Sequence, residues 1–244
     1  MPKSLSARIF VALVIVSGFV FLGIAVRNAH TLATVRFVAL LVLASLAARL
    51  KVKLPGLTGT MSVNLPFILL AAALTGSAEA LTVGFVSTFA QSLPRGNQKL
   101  NLVQIIFNSC AITLAVATAR MIFVSASVAA TLGSPSLRLA LAAAGYFLVN
   151  TIAVSLVISL SEGANLLRTW SEMFQLSYVY LVASAGVAGI ALTLGQEIGW
   201  QVPLAMLPIM LGVFISYRRF FAVASKAASS AVAMHSSAAA AANV

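Results

Sequence analysis

The chain contains no aspartate, only four glutamates, and 8% charged residues over a length of 244. That scarcity excludes a water-soluble domain, whose surface needs roughly a quarter of its residues charged. It has a single cysteine, Cys110, set inside an apolar run. One thiol forms no intrachain disulfide, so Cys110 is expected to be a small buried packing residue. The two histidines, His30 and His235, have no acid or thiol near them in sequence, and no metal site is expected. No phosphate-binding glycine loop and no nucleophile motif occurs, so no cofactor and no catalytic residue is assigned. An inverted repeat of the kind built into many transporters is missing as well.

What is present is apolar: 61% of the residues are hydrophobic. Runs of about 20 such residues recur along the chain, the length needed to cross a hydrocarbon core. The runs are continuous, whereas barrel strands alternate over about ten residues. In lipid a helix satisfies its own backbone hydrogen bonds. The predicted fold is therefore an all-α, polytopic transmembrane bundle. The formal charge of +11 would suit nucleic acid only if clustered on one solvated face. Here the basic residues sit singly or in small groups between apolar runs, the placement that orients a membrane protein. No nucleic-acid partner is expected.

Lys3 and Arg8 ahead of Ile9 to Val26 have the outline of a signal peptide. The apolar stretch is 18 residues, longer than the ~7–15 of a cleaved signal, and no small-x-small site precedes Arg27. It is read as a retained first span. The second runs from Leu32 to Leu50, ending in Arg49-Leu50-Lys51-Val52-Lys53, and a Pro/Gly-rich loop, Leu54 to Thr60, follows. Met61 to Leu93 is too long for one crossing and short for two, with a turn signal at Leu74-Thr75-Gly76-Ser77. Later spans are placed at Leu100 to Leu132, Leu137 to Leu160, Met173 to Leu194 and Gln201 to Tyr217.

Positive charge decides the ambiguous stretch, since cytoplasmic loops are enriched in Lys and Arg. Read as a hairpin, it gives eight spans with both termini inside, and eleven basic residues fall inside against two outside. Read as one span, it gives six against seven. The expectation is eight helices over residues 1–217, followed by an Ala/Ser-rich cytoplasmic tail, 218–244, helical or disordered. The location expected is a bacterial inner membrane.

Of the four acids, Glu162 and Glu172 are expected to bracket an inner loop holding Arg168 and Trp170. Glu197 falls in an outer turn beside Trp200. These are ordinary interfacial positions. Arg36, Glu79 and Arg120 differ, because each falls within a span and all three are predicted at a similar depth in the outer half. Intramembrane charges pair or line a wet cavity. One reading is an outward-facing pocket where the two arginines bind a small anionic ligand and Glu79 holds one of them. The other is a structural ion pair, with the arginines reaching toward lipid headgroups. A second polar set, Gln91, Gln104, Asn108 and Asn150, is expected to hydrogen-bond between helices.

Several segments carry a family resemblance. They are Arg49-x-Lys51-x-Lys53-Leu54-Pro55-Gly56, Met61-Ser62-Val63-Asn64-Leu65-Pro66-Phe67, Ala78 to Phe89 and Phe107-Asn108. Together they resemble the N-terminal, sensor-like membrane domain of bacterial signalling proteins with HD-GYP or GGDEF output domains. Tyr217-Arg218-Arg219-Phe220 through Met234-His235-Ser236-Ser237 is similar to the linker that leads into an HD-GYP domain. The catalytic His and Asp residues of such outputs are absent here, so the resemblance implies no enzymatic activity. It implies a sensor-like or regulatory role through a ligand or a protein partner in the membrane. Phe67 to Leu93 is more loosely similar to the short span, glycine turn and short span of the substrate-binding membrane subunit of energy-coupling-factor transporters. That likeness implies small-solute recognition. A structural subunit of a larger membrane complex is the third expectation, since fold does not fix function.

Overall fold

The computed structural model describes residues 4–29, 34–53, 60–94, 100–198, 201, 203–216 and 218–219, excepting the side chains of 52, 53, 60, 61, 176 and 196–198. His30, His235, Trp200, the side chain of Glu197 and the tail from 220 onward lie outside the described residues.

Helix α1 (Leu5–Arg27) begins where the Ser4 hydroxyl accepts the Ala7 amide at 3.2 Å, satisfying one of the orphan donors of a helix start. Helix α2 (Val35–Ala48) is capped in the same way by Thr34, which accepts from the Phe37 amide at 3.2 Å. Two three-residue strands follow, β1 (Lys51–Lys53) and β2 (Thr60–Ser62), paired antiparallel with Lys51 opposite Ser62. The rest of the described fold is helical. Helix α3 (Leu65–Leu74) starts on Pro66, whose missing N–H is harmless in a first turn. Helix α4 (Ser77–Ser92) follows after only Thr75 and Gly76, so the turn predicted at Leu74–Ser77 is present.

Helix α5 (Leu102–Val124) ends at Ser125, and a separate seven-residue helix α6 (Ala126–Leu132) begins there. The run predicted as one span from Leu100 to Leu132 is thus broken by extended backbone at Ser125. Helix α7 (Pro135–Glu162) closes on Gly163, whose φ of 71° is the left-handed conformation that glycine adopts without strain. Helix α8 spans Leu166–Ile198 and α9 spans Pro203–Ser216. The expected inner loop around Arg168 and Trp170 is correspondingly short. Both residues lie on α8, where Arg168 pairs with Glu172 at 3.0 Å on an exposed face. Trp170 donates its indole N–H to the Thr151 hydroxyl at 3.1 Å.

Four described helical stretches are long and apolar enough to cross a membrane: Leu5–Arg27, Leu102–Val124, Pro135–Glu162 and Ser177–Gly195. The surface agrees with this, since Leu5, Ile9, Leu13, Val16 and Val20 are exposed along α1 while Asn64, Ser87, Thr113 and Ser155 are buried. An apolar exterior over a partly polar interior is the pattern of a membrane protein.

Helix α3 sits at the centre. Every residue from Leu65 to Ala72 is buried, and α8, α5, α2 and α4 all pack against it. Ten residues make about 15 Å of helix, half a hydrocarbon core. It is therefore a short interior helix enclosed by its neighbours.

Three contacts record how the helix ends align. The Ser4 hydroxyl donates to the Leu160 carbonyl at 2.5 Å, placing the start of α1 at the end of α7. Arg49 donates to the Ala90 carbonyl at 3.0 Å, joining the ends of α2 and α4. Thr34 donates to Glu79 at 3.0 Å, joining their starts.

Candidate functional site

Where α3 stops and α4 starts, two helix termini meet, with Thr75 and Glu79 buried and Gly76 and Ser77 exposed, and each terminus leaves unsatisfied backbone groups. The C-terminal carbonyls of α3 carry partial negative charge and the N-terminal amides of α4 partial positive charge. Arg120, on α5, donates from Nη1 to the Ala72 carbonyl at 2.8 Å. Glu79, in the first turn of α4, accepts the Gly76 amide on Oε2 at 3.0 Å and the Thr34 hydroxyl on Oε1 at 3.0 Å. Thr75 closes α3 by donating its hydroxyl to the Ala71 carbonyl at 2.7 Å. The chain break thus binds a cation on its negative side and an anion on its positive side.

Glu79 and Arg120 line one cavity of about 530 Å³ between α1, α4 and α5. Its polar lining comes from Asn28, Ser77, Glu79 and Arg120, and its apolar wall includes Phe21, Ile24, Ala25, Leu81, Ala117 and Met121. The shape follows from how α1 packs. Ala7, Val11, Val14 and Gly18 are its buried residues, and at Gly18 the helices touch so closely that a Cβ would stand 2.5 Å from the Cys110 Cβ. Beyond Gly18 no residue of α1 is buried, so α1 and α5 part above that contact and the cavity fills the gap.

The three residues singled out by sequence are treated unequally. Glu79, 5% exposed, and Arg120 share the cavity. Arg36 is exposed near the start of α2 and does not line it. Among the described residues neither arginine comes within ion-pair distance of Glu79, whose oxygens accept from Thr34 and Gly76. Arg120 keeps a buried Nε–H with no partner, and a guanidinium has five donors in all. Arg138 has a buried, unpartnered Nε as well, its guanidinium lying 5.2 Å from the centre of the Phe123 ring on α5. Arg138 falls at the start of the span placed from Leu137 to Leu160, and nothing in the sequence links it to Phe123. The signal for the contact was weak, because an aromatic and an arginine fifteen positions apart imply nothing until the helices pair.

The second polar set does not come together. Gln91, Asn108 and Asn150 are half-buried and Gln104 exposed. The buried polar contacts lie elsewhere, around the start of α3. Tyr180 donates to the Ser62 carbonyl at 2.8 Å and accepts the Leu65 amide at 3.3 Å. Ser62 donates to Asn64 Oδ1 at 2.8 Å, and Asn64 reaches the Ser87 hydroxyl at 3.4 Å. This network ties the strand ladder, α3, α4 and α8 together. Among the described residues no group of His, Cys, Asp and Glu side chains could hold a metal ion.

Comparison with protein-family models, curated proteins and solved structures finds no match to this chain.

Proposed function

We propose that this chain is a non-enzymatic, multi-pass protein of a bacterial inner membrane that recognises a small ligand in the cavity beside the α3–α4 break and relays its occupancy to a partner protein. The observation that carries the reading is a cavity lined by both an arginine and a carboxylate, between helices of which two are long and apolar enough to cross a membrane. Intramembrane charges of this kind mark ligand or ion sites. The resemblance of residues 49–108 to sensor-like membrane domains of bacterial signalling proteins supports the same role.

In the proposed topology eight helices pass through the bilayer, α3 as a partial pass, with both termini cytoplasmic. The pairing of helix ends supports that alternation, as does the distribution of Lys and Arg. The cavity then lies in the periplasmic half of the membrane. Helix α3 is the relay. Arg120 holds its last turn, while Tyr180 and Asn64 hold its start beside the strand ladder. A ligand that draws the guanidinium from Ala72 changes the cap on a helix packed against four others.

A solute-binding transport component is the second reading, favoured by the break itself. Discontinuous helices whose charged ends face a site are a recurrent transporter construction. The two separate on phenotype: deletion in the native host reduces uptake of the ligand under the transport reading and leaves uptake intact under the sensory one. Arg120→Ala is expected to weaken ligand binding under both. Unchanged affinity in that variant would remove the cavity from either function.

A further inference from the structure

We infer that the ligand of this cavity is an amphiphile with a phosphate headgroup, its head at Arg120 and its chain running between α1 and α5. The inference rests on the ligand-binding reading above and narrows its chemical class.

Polarity along the cavity is the first argument. Asn28, Ser77, Glu79 and Arg120 belong to the end of α1, the start of α4 and the last turns of α5. Toward the middle of the bundle the lining becomes Ala25, Phe21, Leu81 and Ala117, with no polar side chain among them. A wholly hydrophilic solute has nothing to match that half, because apolar wall left against polar groups forfeits hydration without return. A molecule with a charged head and a hydrocarbon chain matches both halves.

The second argument is the direction of the opening. Phe21, Ile24 and Met121 line the cavity, yet they are 46%, 57% and 65% exposed. They stand on the outer flank of α1 and α5, two helices long and apolar enough to cross a membrane. The mouth therefore faces sideways, toward lipid, and the Gly18–Cys110 contact closes its floor. A chain can enter from the bilayer without crossing water.

The third argument is charge. The carboxylate of Glu79 accepts from Thr34 and Gly76, while of the five donors of the Arg120 guanidinium one, on Nη1, is spent on Ala72. The unmet demand in the cavity is for an anionic acceptor. Phosphate oxygens accept short, strong, charge-assisted hydrogen bonds from guanidinium N–H groups. The volume of about 530 Å³ lies within the range of ligand cavities.

The test uses the full chain in dodecyl maltoside micelles, which carry no phosphate, and reads binding by native mass spectrometry for three probes. These are single-chain lysophosphatidylglycerol, the chain-matched uncharged monoacylglycerol, and soluble glycerol phosphate. The expected result is binding of the first at least about tenfold tighter than of the second, the worth of a charge-assisted hydrogen bond, with no binding of the third. Ala25→Phe, which fills the chain slot and leaves Arg120 in place, is expected to abolish lysophosphatidylglycerol binding, and Val20→Phe on the exposed face of α1 is not. If glycerol phosphate binds as tightly as the lipid and Ala25→Phe leaves it unchanged, the amphiphile inference is overturned and the cavity remains a site for a soluble anion. If the monoacylglycerol binds as well as its phosphate analogue, the headgroup assignment is wrong. If no probe responds to Ala25→Phe or to Arg120→Met, the cavity is not a binding site and the function proposed above fails with it.

Discussion

The tight helix–helix approach at Gly18 allows a quantitative test of how α1 is attached. Replacing Gly18 by alanine places a methyl carbon 2.5 Å from the Cys110 Cβ and 2.8 Å from its Cα. Carbon atoms in contact normally lie about 3.5–4.0 Å apart. The shortfall is about 1 Å, and one of the opposing atoms is backbone, which cannot rotate away. Overpacking of this kind costs about 1–3 kcal/mol. The same change at Gly23 meets no atom within 4 Å. Both substitutions lie in α1 and share the same intrinsic helix preference for alanine over glycine, about 1 kcal/mol. Their difference isolates the contact. Gly18→Ala should be less stable than Gly23→Ala by about 1–3 kcal/mol in reversible detergent unfolding. Cys110→Ala should not rescue it, because the Cβ remains. Equal stabilities of the two alanine variants would refute the close packing of α1 on α5, and with it the floor of the cavity.

Tyr180→Phe removes one hydroxyl that serves both the Ser62 carbonyl and the Leu65 amide. A loss of about 1–3 kcal/mol is expected from leaving buried groups unpaired, against no change for Tyr178→Phe on the exposed face of α8, both read by the same unfolding assay. Glu79→Ala should destabilise by a similar amount, because the Gly76 amide and Thr34 hydroxyl lose their acceptor. Glu79→Gln, which keeps an acceptor oxygen, should recover at least part of that loss. For topology, cysteine introduced at Ser134 should react with a membrane-impermeant maleimide added to intact cells with a permeabilised outer membrane, and cysteine at Asn165 should react only after lysis. The reverse pattern would invert the bundle and place the cavity on the cytoplasmic side.

Much of the architecture was legible because lipid imposes one-dimensional rules. The lack of aspartate, the long apolar runs and the placement of Lys and Arg each act locally along the chain, so they point to helices, to their approximate bounds and to the turn at Thr75–Gly76. Glu79 and Arg120 stood out for the same reason, since a charge inside an apolar run is visible without coordinates. Other features depend on which helices become neighbours, and no periodicity encodes that. Arg36 is likewise a charge inside an apolar run, but on α2 it is exposed and away from the cavity. The four amides expected to join helices do not meet, while Tyr180, Ser62, Asn64 and Ser87, drawn from separate segments, do. The break at Ser125 turns on a single backbone conformation within a run whose composition reads as continuous. Tertiary structure alone decided that α3 is buried on every side, and that the two cut helix ends beside it are held by Arg120 and Glu79. Composition governs whether a segment prefers lipid to water. Which faces touch is settled by side-chain packing between helices, where small residues such as Gly18 permit an approach that larger ones forbid.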